Sequence, residues 1–278
     1  MKLLRVGEIG NEIVATLDSN NKIRDLSGHI KDLNPQTIND ETLNKLRTID
    51  LSALKEIDPK TRIGACITNP VDFLAIGLNY KAHAEGTKSK LPTEPIVFNK
   101  SSGCIQGPND QIIKPMSANK MDYEVEVGMI IGRKGKYIKE ENAQDYVFGY
   151  CIVNDISERS WQKERGGQWI KGKSIAGPIG PYLVTKDEIK NLNNINLALD
   201  VNGNRKQTGN TERMIFNFNF LIFHLSQFMT LYPGTIITTG TPAGTAMEME
   251  KPEFLKAGDK LHLKVDGLGE QFHEIIDE

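Results

Sequence analysis

Three carboxylates stand at alternate positions in the stretch MDYEVEVGMIIGR, residues 121–133: Asp122, Glu124 and Glu126. Around them Tyr123, Val125, Val127, Met129 and Ile131 are apolar at every second position, the period of a β-strand. The alternation alone is compatible with a solvated face of an antiparallel sheet. Glutamate is nevertheless depleted in strands, and like charges on one face repel. A divalent cation would remove that conflict, because carboxylates are natural ligands of hard ions. Asp155 ends the apolar run CIVND, 29 residues after Glu126, and offers a third carboxylate. The same NDISER segment also reads as a helix cap.

Two other stretches carry chemical signals. GQWIKGKS, residues 167–174, satisfies the text of a phosphate-binding loop. Such a loop follows a buried strand and opens a helix whose N-terminus faces the phosphates. Here the charged SERSWQKERG precedes it, and IAGPIGPYLVT, with Pro178 and Pro181, cannot form that helix. A nucleotide site is therefore disfavoured. TIITTGTPAGTA is an apolar strand breaking into a Gly/Thr/Pro loop. It reads either as a tight turn or as a loop that presents N–H groups and hydroxyls to an anion.

The elements that must position these residues are mostly short strands. DFLAIGL, PIVFNK, QIIKP, YEVEVGMIIG, YCIVNDI, PYLVT, INLALDVNG, TIITTG and KLHLKVDG all fit, with helices at EENAQDYV, SERSWQKERG and NFNFLIFHLSQFMTL. The last helix is apolar around most of its circumference, which predicts that it is largely buried. Strands and helices do not alternate as βαβ units, so the fold class is α+β and strand-rich. Residues 1–68 read as a small N-terminal domain of short strands and one helix, and residues 69–278 as the catalytic domain.

Composition excludes several classes. The chain has 278 residues, 38% hydrophobic and 25% charged, in the range of globular proteins. A formal net charge of −2 argues against a nucleic-acid surface driven by bulk charge. No apolar run is long enough for a membrane span or a signal peptide, which makes the cytoplasm the expected location. Cys66, Cys104 and Cys151 have no metal-binding spacing and read as reduced, buried thiols.

Taken in order, GLNYKAHA, EPIVFNK, DYEVEVGMIIGRKGK, GYCIVNDISER, GKS followed by GPIGPYLVT, VNGNRKQTGNTERMIF, QFMTLYPGTIITTGTPAG and FLKAGDKLHLKVDGLG resemble the fumarylacetoacetate hydrolase family, in its acylpyruvate and 2,4-dioxo-acid hydrolase-like branch. The resemblance runs from about residue 70 to 270. It implies a mixed β-sheet and β-roll catalytic domain behind a small N-terminal domain, commonly as a homodimer. It also implies a Mg²⁺ or Mn²⁺ site made by Glu124, Glu126 and Asp155, with Asp122 beside the ligands. By the same resemblance Lys173, Gln162 and Thr241 face the substrate, with Lys173 offering a cation to a developing oxyanion.

The resemblance further implies a general base in NYKAHAEGT. Hydrolytic relatives pair a histidine with a glutamate three residues later. His83 fits the first position, but Gly86 stands at the second, and Glu85 lies only two residues on. At about 100° per residue, two helical steps place side chains on nearly opposite sides. His83 and Glu85 are thus the expected pair only if the helix is irregular there; otherwise another carboxylate must serve.

The implied chemistry is metal-dependent hydrolysis of a C–C bond in a small 2,4-dioxo acid, an acylpyruvate or a diketo-deoxy sugar acid, releasing pyruvate or a related 2-oxo acid. Decarboxylation, hydration or tautomerisation of a 2-oxo acid uses the same machinery. A nucleotide-dependent enzyme and a non-catalytic binding module are the readings from other classes.

Overall fold

The computed structural model describes residues 1–166 and 169–278. Val125–Ile131 lies in the middle of an eleven-stranded mixed sheet. Its antiparallel neighbours are Val147–Asn154 and Ile236–Thr238. Beyond Ile236–Thr238 come Phe73–Gly77, in parallel, and the edge strand Ile96–Asn99. In the other direction Gly177–Thr185 joins Val147–Asn154 to Lys2–Val6, Ile13–Leu17 and Ile23–Asp25. The N-terminal strands thus continue the sheet that carries the acidic residues.

A five-stranded sheet covers one face. It is ordered Asn204–Asn210, Asn196–Val201, Lys260–Val265, Gly269–Asp277 and Ile112–Lys114. Val125, Val127, Met129 and Ile131 point into the core between the two sheets, against Leu199, Leu263, Val265 and Leu221. On the opposite face Ile130 packs with Phe148, Val153, Leu3, Val14 and Leu46, the last three from the N-terminal region. Val125–Ile131 is therefore buried on both faces along its whole length. The solvated-face reading of the acidic positions does not hold: Asp122, Glu124 and Glu126 are all buried.

The expected helices are present but shorter. Asp40–Arg47 starts where the Asn39 side chain accepts from the Thr42 N–H at 2.9 Å, and it turns Leu43 and Leu46 inward. EENAQDYV forms a 3₁₀ run, Glu140–Tyr146, and SERSWQKERG gives only Arg159–Lys163. Phe218–Phe228 is capped by Asn217 and buries Phe218, Leu221, Ile222 and Leu225. Its expected burial holds for that face alone. Phe216, Phe220 and His224 stack along the other face, which ends at Phe228, 67% exposed.

Candidate active site

The register of two neighbouring strands assembles the acidic cluster. Asn154 pairs with Val125, so the next residue, Asp155, arrives beside Glu124, where its N–H donates to the Glu124 carbonyl at 2.9 Å. The strand is interrupted at that point. The Asn154 side chain accepts from the Glu124 N–H at 3.3 Å, and Gln207 accepts from the Val125 N–H at 3.0 Å. Side chains thereby satisfy backbone groups that no partner strand reaches. One carboxylate oxygen from each of Glu124, Glu126 and Asp155 lies within 4.8 Å of the others.

Three buried cations surround this cluster. Arg159 Nη2 donates to Glu124 at 2.6 Å, and its Nε donates to Asp122 at 2.8 Å. Lys173 Nζ bridges Glu124 at 2.6 Å and Asp155 at 3.0 Å. Lys100 Nζ, fully buried, donates to the other Asp155 oxygen at 2.5 Å and to the Ala176 carbonyl at 3.2 Å. Burial alone would raise the Glu124 carboxyl, but Arg159 and Lys173 outweigh it and hold Glu124 well below the usual carboxylate range. Glu126 is the opposite case. Burial, then the charges of Asp155 and Glu124, push it well above that range. Its partner is the Gly240 N–H, at 3.0 Å.

Four buried carboxylates, Asp122, Glu124, Glu126 and Asp155, therefore face three buried cations, Lys100, Arg159 and Lys173. Fully ionised, the four would carry one charge more than the cations neutralise, and burial together with that excess favours the protonated form of Glu126. Among the described residues, the buried Tyr80 hydroxyl and Asn154 Nδ2 also have no hydrogen-bond partner. An all-oxygen donor set with one negative charge in excess, flanked by unpaired polar atoms, fits a hard divalent cation.

His83 lies across the same cavity, on the short helix Lys81–Gly86. Its carboxylate partner is Glu248: His83 Nδ1 and Glu248 Oε1 are 2.6 Å apart. Glu85 does not take that role. The helix is regular, so the Glu85 side chain projects away to solvent, 61% exposed, 3.8 Å from Lys81. Glu248 comes from the turn Ala246–Glu248, where it also accepts from Thr245 Oγ1 at 2.8 Å and the Gly244 N–H at 3.2 Å. Burial raises the Glu248 carboxyl, but the His83 bond and these donors bring it below its ordinary value. Asp122 anchors this turn. It accepts the Ala246 N–H at 2.8 Å and the Met247 N–H at 3.2 Å while it holds Arg159. The space that admits Glu248 is left by Gly86: a Cβ there would lie 2.3 Å from Glu248 Oε2.

The cavity, about 60 Å³, brings together His83, Glu124, Glu126, Gln162, Lys173 and Thr241. Gln162 accepts from Arg159 Nη1 at 3.1 Å. The Thr241 hydroxyl is committed to structure, donating to the Val125 carbonyl at 2.9 Å and accepting from Gln207 at 2.8 Å. Lys173 stands on the carboxylates rather than free. Lys163 also lines the cavity, and among the described residues no carboxylate lies within 4.0 Å of it. Of the phosphate-loop text, Gly167 and Gln168 lie outside the described residues. Ile170–Lys173 makes one turn, and the chain then enters the strand Gly177–Thr185, not a helix. Sequence reasoning missed Lys100, Arg159 and Glu248. Lys100 had a faint signal, a lysine closing the apolar run PIVFN.

Residues 72–276 match the family described as fumarylacetoacetate (FAA) hydrolase C-terminal. A Burkholderia ambifaria protein, assigned by name only provisionally to the hydrolases, is 50% identical over 274 residues, 98% of this chain and 97% of its own length. The fumarylacetoacetate hydrolase of psychrophilic Exiguobacterium antarcticum superposes with a TM-score of 0.86 at 28% identity, covering 100% of both chains. The 2-hydroxyhepta-2,4-diene-1,7-dioate isomerase of Mycobacterium marinum superposes with a TM-score of 0.79 at 26% identity, covering 100% of this chain and 99% of that one. The match spans most of the chain, including the acidic cluster, His83 and Glu248, and the chain belongs to the fumarylacetoacetate hydrolase family.

Proposed function

We propose that the protein hydrolyses a C–C bond in a 2,4-dioxo acid, with Mg²⁺ or Mn²⁺ held by Glu124, Glu126 and Asp155. The observation that carries this reading is the hydrogen-bonded His83–Glu248 pair in one cavity with an uncompensated acidic cluster. When bound, the ion supplies Lewis-acid stabilisation of negative charge on the 2-oxo acid.

The chain's own residues do the proton work. Glu248 engages Nδ1 of His83, which leaves Nε2 to take a proton from water. The hydroxide equivalent adds to the C4 carbonyl carbon. The C3–C4 bond then breaks with its electron pair passing to C3, and His83 returns the proton there. The products are a carboxylic acid and a pyruvate-type 2-oxo acid, and the step consumes one water. Lys173 and Arg159 keep Glu124 ionised throughout, and Lys163 offers the incoming acid a cation that has no carboxylate within 4.0 Å among the described residues.

The isomerase among the solved relatives supports a second reading, in which His83 moves a proton between carbons without water addition. A panel of 2,4-dioxo acids, 2-hydroxydienedioates and oxaloacetate separates the two, with and without Mg²⁺, following pyruvate, CO₂ and double-bond migration. Metal-dependent pyruvate release from a dioxo acid, lost in Glu124→Ala, is the expected result. No metal-dependent product from any of them would overturn the proposal and favour a binding module.

The aromatic stripe ending at Phe228 supports assembly as a homodimer, checked by light scattering of Phe228→Glu against the unaltered protein. Among the described residues no helix is long and apolar enough to cross a membrane. We place the enzyme in the cytoplasm, which fractionation of cells carrying a C-terminally labelled chain would test.

A further inference from the structure

The helix that carries His83 ends on a glycine its backbone does not require. Gly86 is absent from the residues with positive φ, so no left-handed turn calls for it. Alanine is the better helix former, so local propensity does not call for it either. Space does. The three atoms nearest to a Cβ built at Gly86 all belong to Glu248: Oε2 at 2.3 Å, Cδ at 3.0 Å and Cγ at 3.2 Å.

Glu248 cannot swing aside at little cost. Its Oε1 is held by His83 Nδ1 at 2.6 Å, by Thr245 Oγ1 at 2.8 Å and by the Thr245 N–H at 3.2 Å. Both of its oxygens also meet the Gly244 N–H at 3.2 Å. Gly244 itself is fixed. It has φ +109°, and a Cβ there would lie 2.0 Å from the Lys206 carbonyl. The carboxylate is thus clamped from the far side, and only the empty volume at Gly86 lets it reach the histidine.

Residues 83 and 86 are neighbours on one helix face, three positions apart. A carboxyl group one or two bonds beyond a Cβ at position 86 falls in the region Glu248 now fills. We propose that Gly86 is a positioning residue whose missing side chain seats Glu248 against His83, and that a carboxylate on residue 86 itself can replace Glu248. This rests on the reading of His83 as the base, but its geometric part can be tested without turnover.

The test is a set of variants, Gly86→Ala, Glu248→Ala, Gly86→Ala/Glu248→Ala and Gly86→Asp or Gly86→Glu in the Glu248→Ala background. Thermal unfolding comes first. Alanine at position 86 should lower Tm when Glu248 is present and raise it when residue 248 is Ala, a reversal of sign that only contact between the two sites produces. The same sign in both backgrounds overturns the proposal. The imidazole ¹H–¹⁵N signal of His83 is the second readout. A hydrogen-bonded Nδ1–H should be present in the unaltered protein, absent in Glu248→Ala, and restored in at least one of the two acidic double variants. Its absence from both, in folded protein, refutes the replacement. If the unaltered enzyme cleaves a dioxo acid, Glu248→Ala and Gly86→Ala should each lose about 100-fold in kcat. An acidic double variant should then recover at least about tenfold of that loss. If the unaltered enzyme has no activity, the proposed function fails while the unfolding cycle and the imidazole signal still decide the seat.

Discussion

Replacing Glu126 by Gln tests the charge imbalance directly, with no substrate. In the metal-free protein, burial and the charges of Asp155 and Glu124 raise the Glu126 carboxyl well above the ordinary range. The unfolded chain releases this proton at an ordinary carboxylate pKa, and the folded chain keeps it to higher pH. Stability from this group is therefore complete below the unfolded pKa and is lost as pH rises towards the folded one. Inside that window the slope is about 1.4 kcal/mol per pH unit. For a chain of this size that corresponds to roughly 3–6 °C of Tm per pH unit. Gln keeps an oxygen for the Gly240 N–H and has no proton to lose. Metal-free Glu126→Gln should therefore unfold with a flatter pH dependence and, above the ordinary carboxylate range, at a higher temperature than the unaltered protein. Mg²⁺ should act in the opposite sense. At 100 times its Kd it adds about 2.7 kcal/mol to the unaltered protein, roughly 5–10 °C. It should add almost nothing to Glu126→Gln. The assay is differential scanning fluorimetry over a pH series with EDTA or Mg²⁺. A Mg²⁺ shift retained in Glu126→Gln, or an unchanged pH slope in EDTA, would refute the placement of the excess charge and of the ion.

Other outcomes follow from single contacts. Arg159→Met leaves Asp122 and Glu124 buried beside each other without their shared cation, and should cost about 3–5 kcal/mol in urea unfolding. Asp122→Asn weakens the anchor of the Ala246–Glu248 turn, so kcat should fall about tenfold with little change in KM, measured on the best dioxo acid of the panel. Lys163→Met should do the reverse, raising KM about tenfold at nearly constant kcat, because the lysine faces the cavity without touching the dyad.

The acidic strand was half legible: its alternation marked a strand and allowed a solvated face, and the metal set Glu124, Glu126 and Asp155 came from the resemblance to the family. Asp155, at the end of an apolar run, read equally as a helix cap, and only the strand register brings it beside Glu124. The α+β, strand-rich class followed from the runs between turns, and the mixed sheet from the resemblance to the family. The strands Asn204–Asn210 and Gly269–Asp277 did not, since NRKQTGN and GEQFHEIID carry too many polar groups for a pattern built on apolar alternation. Glu248 left no local trace. It reaches His83 from 165 residues away through a gap created by a glycine, and a gap has no signature in a sequence. Lys100 and Arg159 were hidden because cations usually sit in water. Here they are interior counter-ions, visible only once the carboxylates have been placed.

The junction between the N-terminal strands and the rest of the sheet sets a limit on how this protein can be cut. The family match begins at residue 72, an inviting start for a minimal fragment. Yet Lys2–Val6 pairs with Leu183 and Val184 at one end of Gly177–Thr185, and Met1 donates its amine to Thr185 Oγ1 at 2.6 Å. A fragment starting near residue 70 would uncover backbone donors and acceptors at Leu183–Thr185 together with the apolar side chains that Leu3 and Val14 now shield. Such a raw sheet edge pairs readily with another molecule of its own kind. The strand left bare lies directly against the one that leads into Asp155. Trimming the first seventy residues would therefore give a self-associating fragment, although every acidic and histidine residue of the centre would still be present.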